Sequence, residues 1–450
     1  MKLNEGATPM KGTHDLTLGP ITPTLMKLTL PIIATNFIST TYGLVDMIWV
    51  GKLGSGPVAA VGTASFFVHM GAALFTIISI GIGVKVAHNM GAGNDDKAKE
   101  LINNGFLMSI ILAALYMIFI LLAKNNLIGY FDLGSKEIEQ EATKFLVISM
   151  IGTIFTFFNT LFSIVLNSMG SSGKPFRVFT VGFLINMILD PLLIFGVRDF
   201  NGLGVLGAAL ATLTANIIVT LLFFIQTRNL HMFSKRITFK MSSIKAILLM
   251  GLPITVQRIT FTVISIIIAK IIVHWGSDAI AVQRIGVQIE SISYMTIGGL
   301  QGAVAAFIGQ NYGANRMDRI KSGYQKALMI TAVFGAMVSV FFIAFPQEIF
   351  SLFLSDKSSL QAGTSYMRII GLSQLFMGME LMTVGAFNGI GKTHLPPISS
   401  IIFTALRIPL AIVLSAPFGL NGVWMSIAIS SVIKGIVLVC WFKWYLRKWN

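Results

Sequence analysis

Two acidic side chains stand in stretches that are otherwise too apolar to tolerate them. Asp46 sits in Tyr42-Gly-Leu-Val-Asp46, and Asp190 in Asn186-Met-Ile-Leu-Asp190-Pro191. An ionisable group at the depth of a hydrocarbon core costs at least roughly 2.5–3.5 kcal/mol by insertion scales, so it normally faces a cavity or a partner. Asp46 lies six residues before Lys52 and Asp190 eight residues before Arg198. At 1.5 Å per residue, both are expected roughly 9–12 Å beneath the same membrane face. Two carboxylates at one depth can share a proton or hold a bare Na+ ion. Either is the chemistry of an ion-coupled conformational step.

Neighbouring polar residues fit a site of that kind. Tyr42 is one helical turn before Asp46 and Asn186 one turn before Asp190, and residues four apart share a helix face. Asn159, Thr160 and Thr212 are further polar candidates at membrane depth, although Ser and Thr often only bond back to their own helix. The alternative is purely structural, with each acid satisfied by nearby hydroxyls and amides. The second half of the chain differs. It mixes Glu290 and Glu380 with Arg258, Lys270, Arg284, Arg368, Arg407 and Lys434. Buried charges need partners, so these acids are expected to pair with arginines.

Positioning such residues requires membrane-spanning helices. Of 450 residues, 54% are hydrophobic and 11% charged, whereas ordinary globular chains carry roughly 25% charged residues. Apolar runs long enough to cross a bilayer predict twelve helices near 24–50, 58–84, 100–123, 142–168, 176–197, 204–227, 244–273, 279–308, 322–345, 362–389, 395–416 and 421–444. None alternates in polarity as a barrel strand would. With a cytoplasmic N-terminus, twenty lysines and arginines fall on inner segments and six on outer ones, the asymmetry that sets orientation. Both termini and a linker at 228–243 are therefore expected in the cytoplasm. No cleavable signal peptide is expected in the polar first twenty residues.

The chain also repeats itself. A shift of 222 residues aligns Pro31 with Pro253, Gly54 with Gly276, Asn89-Met-Gly-Ala92 with Asn311-Tyr-Gly-Ala314, and Asp96 with Asp318. A shift of 221 aligns Asn167, Gly170 and Pro175 with Asn388, Gly391 and Pro396. An even number of spans separates the copies, so they are parallel repeats about an axis along the membrane normal. The expected fold is all-α and integral to the membrane: an N-lobe at 1–227, the linker, and a C-lobe at 244–450 around a central cavity. The repeat partner of Asp46 is Ile268, so no shared scaffold role requires an acid there.

The helix-1 Tyr42-Gly-Leu-Val-Asp46 segment, the helix-5 Asn186-Met-Ile-Leu-Asp190-Pro191 segment, and the loops Asn89-Met-Gly-Ala-Gly93 and Gln310-Asn-Tyr-Gly-Ala314 resemble the multidrug and toxic compound extrusion (MATE) family. The likeness covers nearly the whole chain. The two N-lobe acids are similar to the DinF-like prokaryotic branch. That resemblance implies drug or toxin efflux driven by inward H+ or Na+, with Asp46 and Asp190 as the cation site and Tyr42, Asn186 and Thr212 around it. It also implies bending of the first helix at Pro31, where a proline removes one helix hydrogen bond. In the NorM-like branch the cation site lies on second-lobe acids, for which Glu290 and Glu380 would be the counterparts.

The expected function is antiport of small amphipathic organic compounds by a monomer in the inner membrane. The 23 Met and 34 Phe residues suit a deformable cavity, although composition does not locate it. A flippase or exporter of a lipid-linked or anionic metabolite is the alternative. The net charge of +15 belongs to membrane orientation rather than nucleic-acid binding. No catalytic motif of the H-E-x-x-H or G-x-S-x-G type occurs. No cofactor is implied, and the lone Cys440 makes no metal motif.

Overall fold

A computed structural model describes residues 15–198, 200–233, 239–354 and 356–448. Long helices dominate because a backbone in lipid must satisfy its own hydrogen bonds. The first half holds α1 (Ile21–Gly51), α2 (Ser55–Gly91), α3 (Asp95–Gly129), α4 (Lys136–Ser168), α5 (Gly173–Phe195) and α6 (Val205–Thr227). The second holds α7 (Met241–Ile272), α8 (Ser277–Gly313), α9 (Met317–Ala344), α10 (Pro346–Ser351), α11 (Lys357–Gly371), α12 (Gln374–Gly389), α13 (Leu395–Ala405), α14 (Arg407–Phe418) and α15 (Leu420–Arg447). A two-residue antiparallel bridge, Gly196–Val197 with Phe200–Asn201, closes the α5–α6 turn. Side-chain caps fix several starts: Asn94 accepts from Lys97 N before α3, and Asp356 accepts from Ser359 N at 2.8 Å before α11.

Among the described residues, eleven helices or helix pairs are long and apolar enough to cross a membrane, and the number becomes twelve when α11 and α12, bent by 49° at their break, are counted as one span. The run at 362–389, expected as one helix, is broken at Leu372–Ser373, where the Ser373 hydroxyl bonds back to Ile370 O at 2.8 Å. The run at 395–416 divides into α13 and α14 at Leu406. The short α10 was not legible, since Pro346 starts a helix as readily as it ends one.

The chain forms two compact units, one containing Leu30–Gly251 and the other Leu16–Thr29 with Leu252–Asn450. α1 therefore changes unit between Thr29 and Leu30, one residue short of Pro31, and α7 between Gly251 and Leu252, one residue short of Pro253. In the first unit, the start of α7 crosses α2 at backbone distance. A Cβ on Gly251 would meet Ile77 O at 1.9 Å, and one on Gly81 would meet Ile247 O at 2.2 Å. Aromatic stacking fills the core beside this crossing, with Phe75 on Phe157 at 4.4 Å and Phe162 on Phe223 at 5.2 Å. The second unit packs Tyr366 edge-on to Trp424 at 5.2 Å in its own core.

Each unit also anchors the segment that enters its exchanged helix. In the first, Glu100 accepts from Lys97, Lys240 and Ser243, each at 2.6 Å. In the second, Arg319 donates to the carbonyls of Leu16, Leu18 and Gly19, and Asn311 donates to Leu16 O at 3.1 Å. Lys97 and Arg319 are repeat partners under the 222-residue shift. Of the linker expected at 228–243, residues 234–238 lie outside the described residues, as do Lys2 and Lys11 of the basic N-terminus.

Candidate functional site

The first unit contains a cavity of about 500 Å³ whose polar lining includes Tyr42, Asp46, His69, Asn159, Thr212 and Asn216. Close helix approach builds it. A Cβ on Gly207 of α6 would meet Leu193 O of α5 at 2.2 Å, and one on Gly182 of α5 would meet the Val219 side chain at 2.2 Å. Small residues let helix backbones approach in lipid, where packing drives association. The close crossing sets Asn186 and Asp190 of α5 against α6, and both are fully buried.

The structure brings the two acids together. The carboxyl groups of Asp46 and Asp190 lie within hydrogen-bonding reach of one another, and Asn186 is close to both. Thr212 donates to Asp46 Oδ2 at 3.2 Å, and Asn186 donates to Asp190 Oδ1 at 3.2 Å. The remaining oxygens, Asp46 Oδ1 and Asp190 Oδ2, are buried with no donor among the described residues. No Lys or Arg is among the described residues that line the cavity. Two carboxylates this close repel when both are charged, by about 4 kcal/mol for charges about 4 Å apart at an effective dielectric near 20.

The surrounding candidates divide into two groups. Tyr42 faces Asp46, Asp190 and Thr212, its ring against Phe183 at 6.3 Å. Asn159 also lines the cavity, but its amide is spent within the fold. It donates to Asn216 O and Oδ1 at 3.1 and 3.2 Å, and accepts from Thr220 at 2.7 Å. Asn159 therefore ties α4 to α6. Thr160 bonds back to Thr156 O. Pro31 lies in α1 away from the carboxyls, with Thr35 donating to its carbonyl at 2.8 Å. Sequence reasoning missed Asn216 and His69. Asn216, one turn after Thr212, was findable by the same i, i+4 rule. His69 lies on α2, a helix whose apolar faces gave no inward direction.

The second-unit charges are arranged differently from the expectation of pairing with arginines. Glu380 pairs with Lys434 at 3.1 Å and accepts from Ser400. Glu290 accepts from Tyr366 at 2.5 Å and from Gln374 at 3.4 Å, with no ion pair at 4.0 Å or less among the described residues. Arg407 donates to Ser430 at 2.6 Å and to Ser431 at 3.1 Å. Arg258 lies beside Glu380 and Lys434 on the wall of a small cavity of about 270 Å³. No group of three His, Cys, Asp or Glu able to hold a metal occurs among the described residues.

Several known proteins resemble the chain over more than nine-tenths of its length. A protein described as "Probable multidrug resistance protein NorM" from Thermotoga maritima is 27% identical over 434 residues, covering 94% of this chain and 93% of its own. The FAD transporter of Shewanella oneidensis is 26% identical, covering 95% of each chain. The multidrug export protein MepA of Staphylococcus aureus is 25% identical over 422 residues, covering 91% of each. Among solved structures, an outward-facing multidrug resistance MATE transporter aligns with a TM-score of 0.88 over 98% of this chain and 99% of its own, at 24% identity. A MOP-superfamily transporter from Pyrococcus furiosus aligns equally well, with the same coverage and identity. At that identity the structural likeness speaks for the fold. The MatE family model matches residues 31–192 and again residues 253–413, once in each unit. On these two matches, which together span more than half of the sequence, the chain belongs to the MATE family of multi-pass membrane transporters.

Proposed function

We propose that the chain is a secondary active exporter of small amphipathic organic compounds, driven by inward movement of H+ or Na+ and working as a monomer in the inner membrane. Both termini face the cytoplasm in this reading. The single observation that carries it is the close approach of Asp190 to Asp46, which lines a cavity with no Lys or Arg among its described lining residues. The names of the multidrug relatives support the substrate class, and the acid pair in the first unit supports the DinF-like branch.

The chain's own residues supply the coupling step. A proton or Na+ held by Asp46 and Asp190 lets α1 and α5 stay together. Its loss leaves two charges in contact in a poorly solvated site, and their repulsion favours a parted arrangement. Thr212 and Asn186 hold one oxygen of each acid in place, so the ion acts on the oxygens that remain. Bending of α1 is assigned to Pro31, which stands where the helix leaves one unit for the other. Tyr42 and His69 are the other titratable groups of the cavity, and His69→Gln should leave coupling intact.

Dye efflux in inverted membrane vesicles tests this reading, with a pH gradient and a Na+ gradient imposed separately. Efflux driven by one of them, and absent from vesicles carrying Asp190→Asn at equal insertion, is the expected result. Efflux indifferent to both gradients would refute ion coupling.

A further inference from the structure

The second unit carries a cavity of about 520 Å³ at the place corresponding to the first. Under the 222-residue shift, Tyr42 and Asp46 become Ile264 and Ile268, and both of these line it. Under the 221-residue shift that holds farther along, Asp190 becomes Ala411 and Asn186 becomes Arg407. The acids have been replaced by hydrocarbon and an amide by a guanidinium.

Arg407 is buried and lines this cavity. No carboxylate lies within 4.0 Å of it among the described residues. Two of its N–H groups go to Ser430 and Ser431, and a guanidinium has five. A charge so placed is costly unless it is paired or hydrogen-bonded. Arg284 adds a second base to the lining, likewise with no acid within ion-pair distance. Glu290 is the one acid among its described lining residues, occupied by donors from Tyr366 and Gln374. The Gln374 carbonyl oxygen is buried and unpartnered beside it. Phe261, Tyr294 and Met377 also line the adjoining cavity of Arg258, Glu380 and Lys434. The bases thus exceed the acids across both. Phe261, Ile264, Ile268 and Met377 supply apolar wall, and the volume is that of a site for a drug-sized molecule.

We infer that this second-unit cavity is a binding site for amphipathic organic monoanions. Arg407 takes the carboxylate or sulfonate, Arg284 adds attraction, and the apolar wall takes the hydrocarbon body. Glu290 disfavours a second negative charge on the ligand. The inference rests on the exporter reading only for the use to which the site is put; binding itself does not require coupling.

Isothermal titration of the purified full chain with biphenyl-4-carboxylate, and with its neutral amide, tests the site. The carboxylate should bind saturably and the amide at least tenfold more weakly, since a hydrogen bond to a charged group contributes about 1.5–3 kcal/mol. Arg407→Gln should weaken the carboxylate about tenfold or more and leave the amide unchanged. Arg284→Gln at an exposed position, and Val287→Trp intruding from the wall, should each weaken it several-fold, which decides the matter should Arg407→Gln fail to insert. Asp46→Asn should bind as wild type does, so loss of coupling is not mistaken for loss of this site. Displacement of the carboxylate by short-chain phosphatidylglycerol would support the site with a lipid headgroup as its source, and lack of displacement would support it with a free organic acid. Equal affinity for acid and amide, or carboxylate affinity unchanged in Arg284→Gln and Val287→Trp, would overturn the proposal.

Discussion

The cavities of the two units occupy equivalent places in a duplicated sequence, yet their charges are opposed. In the first, Asp46 and Asp190 meet with no Lys or Arg among the described lining residues. In the second, Arg407 and Arg284 outnumber Glu290, and next to them Glu380 is paired with Lys434. A duplicated scaffold that needed an acid for folding would keep it in both copies. Here Ile268 and Ala411 replace the two aspartates, and α7 and α14 form without them. The difference teaches that the repeated helix arrangement does not itself call for an acid at these positions. The second unit spends its carboxylates on hydrogen bonds and an ion pair.

The comparison can be broken most forcefully at Glu380. Removing one partner of a buried ion pair leaves an uncompensated charge and costs about 3–5 kcal/mol. Glu380→Gln should therefore lower yield and thermal stability sharply, and Lys434→Met in the same chain should restore much of both. Melting in detergent, followed by fluorescence, checks this; a stable Glu380→Gln protein would mean that the pair is not structural. Asn159→Ala should come next, at about 1–3 kcal/mol, because it strips bonds from half-buried Asn216 and buried Thr220. Its loss should appear in stability and not in gradient dependence. Thr212→Val removes one donor to Asp46 and should shift the pH or Na+ dependence of efflux while leaving maximal rate within a few-fold. Pro31→Ala should have the smallest effect, slowing turnover of an inserted protein without changing which ion drives it. Unchanged turnover over a range of driving force would remove Pro31 from the conformational step.

Much of this was readable from the chain. The spans followed from run length, and the acid pair from its depth and from Tyr42 and Asn186 one turn away. Two features escaped for physical reasons. The breaks at Leu372–Ser373 and Leu406 carry no proline at the break, and hydrophobic run length is blind to a bend. The partners of the second-unit acids depend on which helices pack together, and α12 meets α15 through residues far apart in sequence. Hence Lys434 could not be distinguished from the arginines. The exchange of helix starts between units is likewise a tertiary fact. Once it is known, the positions of Pro31 and Pro253 at the two crossings explain why the repeat preserves them as a pair.

The central claim is that Asp46 and Asp190 form one ion-binding site that drives transport. Gradient-driven efflux in proteoliposomes should be measured for the wild type, Asp46→Asn, Asp190→Asn and the double variant, all at matched insertion. Asparagine keeps size and hydrogen bonding but cannot ionise. Groups that act as a unit are not additive. Each single variant is predicted to lose coupled efflux while still binding apolar ligand, and the double variant to be little worse than either, with Glu290→Gln retaining coupling. Coupled efflux at the wild-type level from Asp46→Asn would contradict the account and move the coupling site to the second unit.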